Sequence, residues 1–154
     1  TLRRTGKLLE QMEHGMKLEL AEWSSTIEVG VPTIDAQHRQ LFELAASFRG
    51  NGDQIRVLKS LAMLTEYVKV HLHEEEELMA ACHYSGLEAH RLLHADFRQM
   101  LYELLENAKQ MTLDEIAEEV KFLINGWFYN HILVADFAYM PSVRAKFGST
   151  PKPT

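Results

Sequence analysis

His71-Leu72-His73-Glu74-Glu75-Glu76-Glu77-Leu78-Met79 closes a long stretch whose apolar side recurs every three or four positions, through Leu58, Leu61, Thr65, Val68, Leu72 and Met79. That period is helical. On such a helix His71 and Glu75, four apart, leave the same face, offset by about 40°. They fall beside the apolar stripe and therefore point inward. His73 lies about 200° around from His71 and is expected in solvent. Of the run Glu74 to Glu77 only Glu75 is expected to turn inward, with the other three forming a solvated face. An inward carboxylate costs several kcal/mol unless something pairs with it.

The same arrangement recurs outward from this stretch. His38 follows Ile34 by one turn on a stripe of Ile34, Leu41, Ala45 and Phe48, predicting a helix over about 34–48 that Gly50-Asn51-Gly52 ends. Asp53 is the expected N-cap of the second helix, which runs to about Ala81 before Ser85-Gly86 breaks the chain. A third helix is predicted over about 87–109, through Leu93, Phe97, Leu101 and Leu104, and it carries His90 and His94 four apart. Thr112 and Glu115 form a capping box for the fourth. That helix holds Ile116, Val120, Leu123, Trp127, His131 and Val134, and Pro141 is expected to set its limit. No segment alternates with period two. Four amphipathic helices joined by short loops imply an all-α, antiparallel up-down four-helix bundle. Ahead of it, Trp23 to Thr33 reads as an extended arm, because Val29-Gly30-Val31-Pro32 disfavours helix. Leu8, Leu9, Met12, Met16 and Leu20 suggest a connector helix over residues 1–22, leaving the bundle domain at 23–147 and a disordered tail at 148–154.

Any one inward histidine is as readily an ordinary hydrogen-bonded core residue. All of them together with Glu75 would leave many buried polar atoms without partners, and metal removes both penalties. Five nitrogen donors with carboxylates exceed the needs of one tetrahedral zinc. The count suits two metals, and imidazole with carboxylate suits iron.

These residues resemble the bacterial hemerythrins. The match begins at Trp23, takes in Val29-Gly30-Val31 and Ile34-Asp35-Ala36-Gln37-His38, and resumes at His71 through Met79. It continues through Tyr84, His90-x-x-x-His94 and Phe97, and ends at Trp127-x-x-x-His131-Ile132 and Asp136-x-x-Tyr139. The resemblance implies a non-haem di-iron centre, oxo- or hydroxo-bridged, with O2 as its ligand and azide as a stand-in on the oxidised form. It assigns His90, His94 and His131 to one iron, His38 and His71 to the other, and Glu75 and Asp136 as bridges. The second iron then has an open position, where oxygen binds. His131 and Asp136 are five apart, about 140° around an ideal helix, so their convergence requires a local π-bulge, a feature that favours functional sites. Trp127 and Phe128 read equally as core and as walls of an oxygen pocket. Leu72 stands where the family often has Phe, and Ser85-Gly86 where a proline commonly follows the tyrosine.

Composition narrows the alternatives. The chain has 154 residues, 46% apolar and 25% charged, with a net charge of −6, which fits one globular domain. No Lys/Arg cluster larger than Arg3–Arg4 is present, which argues against nucleic acid. No apolar run approaches the roughly 18 residues of a membrane span. Cys82 is the single cysteine; it is expected as a small packed thiol and suits a reducing, cytoplasmic setting. His14 and His83 are expected to be solvated. The start at Thr1 rather than Met suggests a piece of a longer signalling protein, with an oxygen sensor as the leading reading and a storage or transport carrier as the next. A di-iron oxidase or peroxidase is the enzymatic alternative, but the ferritin-like Glu-x-x-His pairs are absent, as is the His-Glu-x-x-His of zinc peptidases. The expectation is a binding protein rather than an enzyme.

Overall fold

The computed structural model describes residues 20–148. Most of the expected connector (up to residue 19) and the tail from 149 onward lie outside the described residues. What is described is a four-helix bundle. The first three rods are α1 (Pro32–Ala46), α2 (Gln54–Ala81) and α3 (Leu87–Asn107), the last extended by a 3-10 turn at Ala108–Gln110. The fourth rod is composite. It starts as α4 (Leu113–Lys121), widens to a π segment at Phe122–Phe128, and returns to α at Tyr129–His131. A second π segment follows at Ile132–Asp136, and the rod ends as α5 (Phe137–Phe147).

The helix starts are set by local chemistry. Pro32 occupies the first turn of α1, where its missing N–H costs nothing, and Asp35 reaches back to accept the N–H groups of Val29 at 2.7 Å and Gly30 at 3.1 Å. Asp53 accepts from the Ile55 N–H at 2.9 Å. Thr112 and Glu115 form the reciprocal capping box. Gly50 passes so close to Asp114 that a Cβ there would collide with its carboxylate, which ties the first loop to the start of α4. The arm before α1 is not fully extended, because Ser25–Ile27 forms one 3-10 turn.

Leu41, Leu61, Leu64, Val68, Leu72, Phe97, Leu101, Ile116 and Phe128 are among the buried residues of one large core. A smaller cluster of Met79, Cys82, Tyr139 and Val143 closes one end. Along α2 the polar pair His71 and Glu75 lies between the Val68–Leu72 level of the core and Met79 of the small cluster. Apolar packing at about 1.5–3 kcal/mol per large side chain on both sides keeps that polar layer dry.

Three further expectations need correction, two on the fourth rod. Pro141 does not end it: the helix runs on to Phe147. Burial of Tyr139 and Val143 against Met79 and Cys82 holds the chain helical past a proline that lacks one N–H. Val134 is not on the inner stripe. It is 76% exposed, because the π segment from Ile132 shifts the helical register. On α3, Leu93 is 39% exposed, since the inward position beside it belongs to His94.

Candidate metal centre

All seven residues singled out in the sequence are buried and converge on one layer of the bundle. α1 supplies His38, α2 supplies His71 and Glu75, α3 supplies His90 and His94, and the fourth rod supplies His131 and Asp136. The widened turn over Ile132–Asp136 brings the last two together, His131 Nε2 lying 3.0 Å from Asp136 Oδ1.

The ligand atoms form two groups that share a carboxylate: Glu75, His90, His94, His131 and Asp136 on one side, and His38, His71 and Glu75 on the other. The two carboxylates divide their oxygens between the groups. Glu75 Oε1 faces His90 Nε2 at 3.0 Å and His94 Nε2 at 3.2 Å. Its Oε2 faces His38 Nε2 at 3.5 Å and His71 Nε2 at 3.4 Å. Asp136 Oδ1 faces His90 at 3.2 Å, while Oδ2 faces His38 at 3.3 Å. Three imidazoles stand on one side of this pair and two on the other.

Whether a pair of cations fits here is decided by the atoms left without partners. His94 Nε2, His131 Nε2 and both Asp136 oxygens are buried and make no hydrogen bond. His71 Nδ1 donates to Gln37 Oε1 at 2.7 Å, which leaves its Nε2 bare and aimed at His38 Nε2, 3.0 Å away. Two imidazole nitrogens at that distance need a proton or a metal between them. The donor set is nitrogen and carboxylate oxygen with no thiolate, as iron accepts. The residues fit.

Electrostatics without metal tell the same story. Burial would raise Glu75, but the imidazoles of His38, His71, His90 and His94 set against it hold it well below the usual carboxylate range. Burial would lower His90, yet the Asp136 and Glu75 carboxylates beside it push it up to about 9. Burial lowers His71, whereas the carboxylates overcome burial and raise His38, so protons stand in for missing positive charge.

Aromatic rings enclose both groups. Trp127 stacks on His131 at 4.9 Å and on Phe97 at 4.6 Å. Phe128 sets its edge against His38 at 5.4 Å and His71 at 5.9 Å. Both roles proposed for these rings, core and wall, are compatible with these contacts.

Several neighbours were not anticipated from sequence. Glu76 does not belong to a solvated face: it is 15% exposed, and it accepts a hydrogen bond from His94 Nδ1 at 3.0 Å. Gln37 backs His71 and donates its amide to Glu74, while its carbonyl accepts from the Tyr67 hydroxyl at 3.0 Å. The Tyr139 hydroxyl points at Glu75 Oε2 from 3.4 Å. Burial and then the Glu75 charge push that phenol well above its ordinary value. The available signal was adjacency, since Gln37 and Glu76 each flank a predicted ligand in the chain. His73, by contrast, is exposed and pairs with Glu77 at 3.0 Å, and His83 is exposed in the α2–α3 loop. His14 lies outside the described residues. Cys82 is buried, and burial raises its thiol.

The sequence profile of the Hemerythrin HHE cation binding domain matches residues 29–143. The chain is similar to a bacteriohemerythrin of Stenotrophomonas maltophilia, 26% identical over 131 residues, covering 83% of this chain and 84% of that protein. It is also similar to a bacteriohemerythrin of Clostridium acetobutylicum, at 29% over 77% of this chain and 97% of the relative. A myohemerythrin of Theromyzon tessulatum is 29% identical over 77% of this chain and 89% of its own length. A crystal structure of a hemerythrin point mutant superposes with a TM-score of 0.70 at 23% identity, over 80% of this chain and 97% of the other. That last likeness concerns the fold.

Proposed function

The chain belongs to the hemerythrin family, and from that premise we propose that it binds O2 reversibly at a di-iron centre held by His90, His94 and His131 on one side, His38 and His71 on the other, and Glu75 and Asp136 across both. The observation that carries this reading is the division of each carboxylate's two oxygens between the two groups. A single ion would not need that arrangement, and the three-to-two split of imidazoles leaves one metal a ligand short. When bound, the iron pair supplies the electrons and the open coordination position that reversible oxygen binding requires.

The protein's own contribution is to hold and to exclude. Phe128 covers His38 and His71, the side with fewer donors, and Trp127 covers His131, so water is kept from the site. Tyr139 holds its proton toward Glu75 and fixes that carboxylate between the two groups. No helix among the described residues is long and apolar enough to cross a membrane.

The finer reading is oxygen sensing in signal transduction. It is favoured by how the arm is anchored. Asp35, one turn before His38, holds Val29 and Gly30. Asn125, in the π segment that carries Trp127 and Phe128, takes the Ala21 N–H and donates to the Ala21 carbonyl, both at 3.0 Å. Through these two anchors a change at either side of the centre would reach the arm. The test is oxygen titration of the anaerobically reduced protein. Reversible uptake, with azide binding the oxidised form, supports the reading. An oxidised spectrum untouched by azide overturns the open position.

A further inference from the structure

The two sides of the centre are backed by different chemistry. Behind His94 stands a carboxylate: His94 Nδ1 donates to Glu76 Oε2 at 3.0 Å. Arg98 Nη1 meets that same oxygen at 3.4 Å, and Arg91 Nε lies 3.4 Å from Oε1. These two guanidinium groups fix the orientation of Glu76, which sits mostly out of water. Behind His71 stands a neutral amide, Gln37 Oε1, at 2.7 Å. Its orientation is fixed because the amide nitrogen is committed to Glu74 and the main-chain carbonyl to Tyr67.

A histidine that donates Nδ1–H to a carboxylate becomes a stronger electron donor at Nε2 than one that donates to an amide. We propose that Glu76 and Gln37 are positioning residues that make the two metals electronically unequal. Glu76 strengthens His94 as a donor and so favours the ferric state and tight retention of the metal on the three-histidine side. Gln37 leaves the metal on the two-histidine side less electron-rich, more easily returned to the ferrous state that takes up oxygen. The asymmetry in ligand number is thereby reinforced by an asymmetry in the groups behind the ligands.

This inference rests on the ligand assignment proposed above, and the experiment separates the two. Glu76→Gln keeps a hydrogen-bond acceptor behind His94 and removes only the charge. Gln37→Glu adds the charge behind His71. Glu77→Gln removes the same formal charge from the exposed side of α2, where its partner is His73. Circular dichroism establishes that each variant is folded. For Glu76→Gln, chelator extraction of one of the two metals should accelerate about tenfold or more. Its ferric preference should fall about tenfold, a rise of about 59 mV in the one-electron potential. Gln37→Glu should shift the other potential downward, and Glu77→Gln should match wild type. Zinc-loaded protein, extracted in the same way, reads the retention effect independently of redox chemistry. If wild type does not hold two irons, the ligand assignment fails, and zinc extraction still decides the role of Glu76. If wild type holds two irons and Glu76→Gln equals it in potential and in extraction, or if Glu77→Gln shifts as far, the inference is overturned.

Discussion

Phe128→Ala tests whether the aromatic wall is structural, protective or both. The ring is fully buried. It touches His38 and His71 by its edge, Phe42 at 6.2 Å and Phe97 at 5.4 Å. Removing its apolar area costs about 1.5–3 kcal/mol. Lost aromatic pairing adds about 0.5–1.5 kcal/mol per contact, and the unfilled hole brings the total to about 3–5 kcal/mol. A domain of this size loses about 2–4 °C of Tm per kcal/mol, so Tm should drop by roughly 10 °C. The hole exceeds the ~30 Å³ that a water occupies and borders two imidazoles, so it should fill with water. Urea unfolding gives the first number, and the lifetime of the oxygenated form, followed optically, gives the second. Stability should fall by at least about 3 kcal/mol and the lifetime should shorten several-fold. Leu92→Ala, at a site 69% exposed, should change stability by less than about 0.5 kcal/mol. A Phe128→Ala protein that loses under about 1 kcal/mol, with an unchanged oxygenated lifetime, would show that the ring is neither core nor wall.

Other consequences are simpler. His90→Ala should deplete iron and weaken the bundle, since Glu75 loses a partner at 3.0 Å, whereas His73→Ala should leave the iron content unchanged; elemental analysis reads both. In metal-free protein His90 is raised to about 9, so its contribution to stability is complete below its unfolded value near 6.5 and fades as pH rises toward 9. Metal must displace that proton, so loading should release protons and metal affinity should climb across the same window; a pH-stat titration showing no proton release would count against this. Thr112→Ala breaks the capping box and should cost about 0.5–2 kcal/mol in chemical denaturation. If the arm reports oxygen, amide exchange in the residues before Pro32 should differ between the reduced oxygen-free and the oxygenated forms, and identical exchange would favour storage or delivery.

The sequence spoke most clearly where burial and period agree. Leu61, Val68, Leu72 and Met79 mark the inner face of α2, and the same period that places them places His71 and Glu75. Caps at Asp53 and Thr112 were legible because a side chain there bonds its own local backbone. The fourth rod was legible only in part. The five-residue spacing of His131 and Asp136 demanded a widened turn, and the structure has one. The first π segment, at Phe122–Phe128, carries no such mark. It buries the consecutive Trp127 and Phe128 and accompanies the Asn125–Ala21 contact, a pairing about a hundred positions apart that no local pattern encodes. Glu76 was misplaced for the same reason. Its surroundings come from Arg91, His94 and Arg98 on another helix, and period alone sees only a charge beside other charges.

The proposed ligand set would hold two irons between the imidazole groups, with Glu75 and Asp136 as the shared carboxylates. Crystals of iron-loaded protein measured on both sides of the iron absorption edge test it most directly. Two anomalous peaks per chain are expected, one beside His90, His94 and His131, the other beside His38 and His71, with Glu75 and Asp136 between them. A single peak, or scattering that appears at the zinc edge and not at the iron edge, would contradict it.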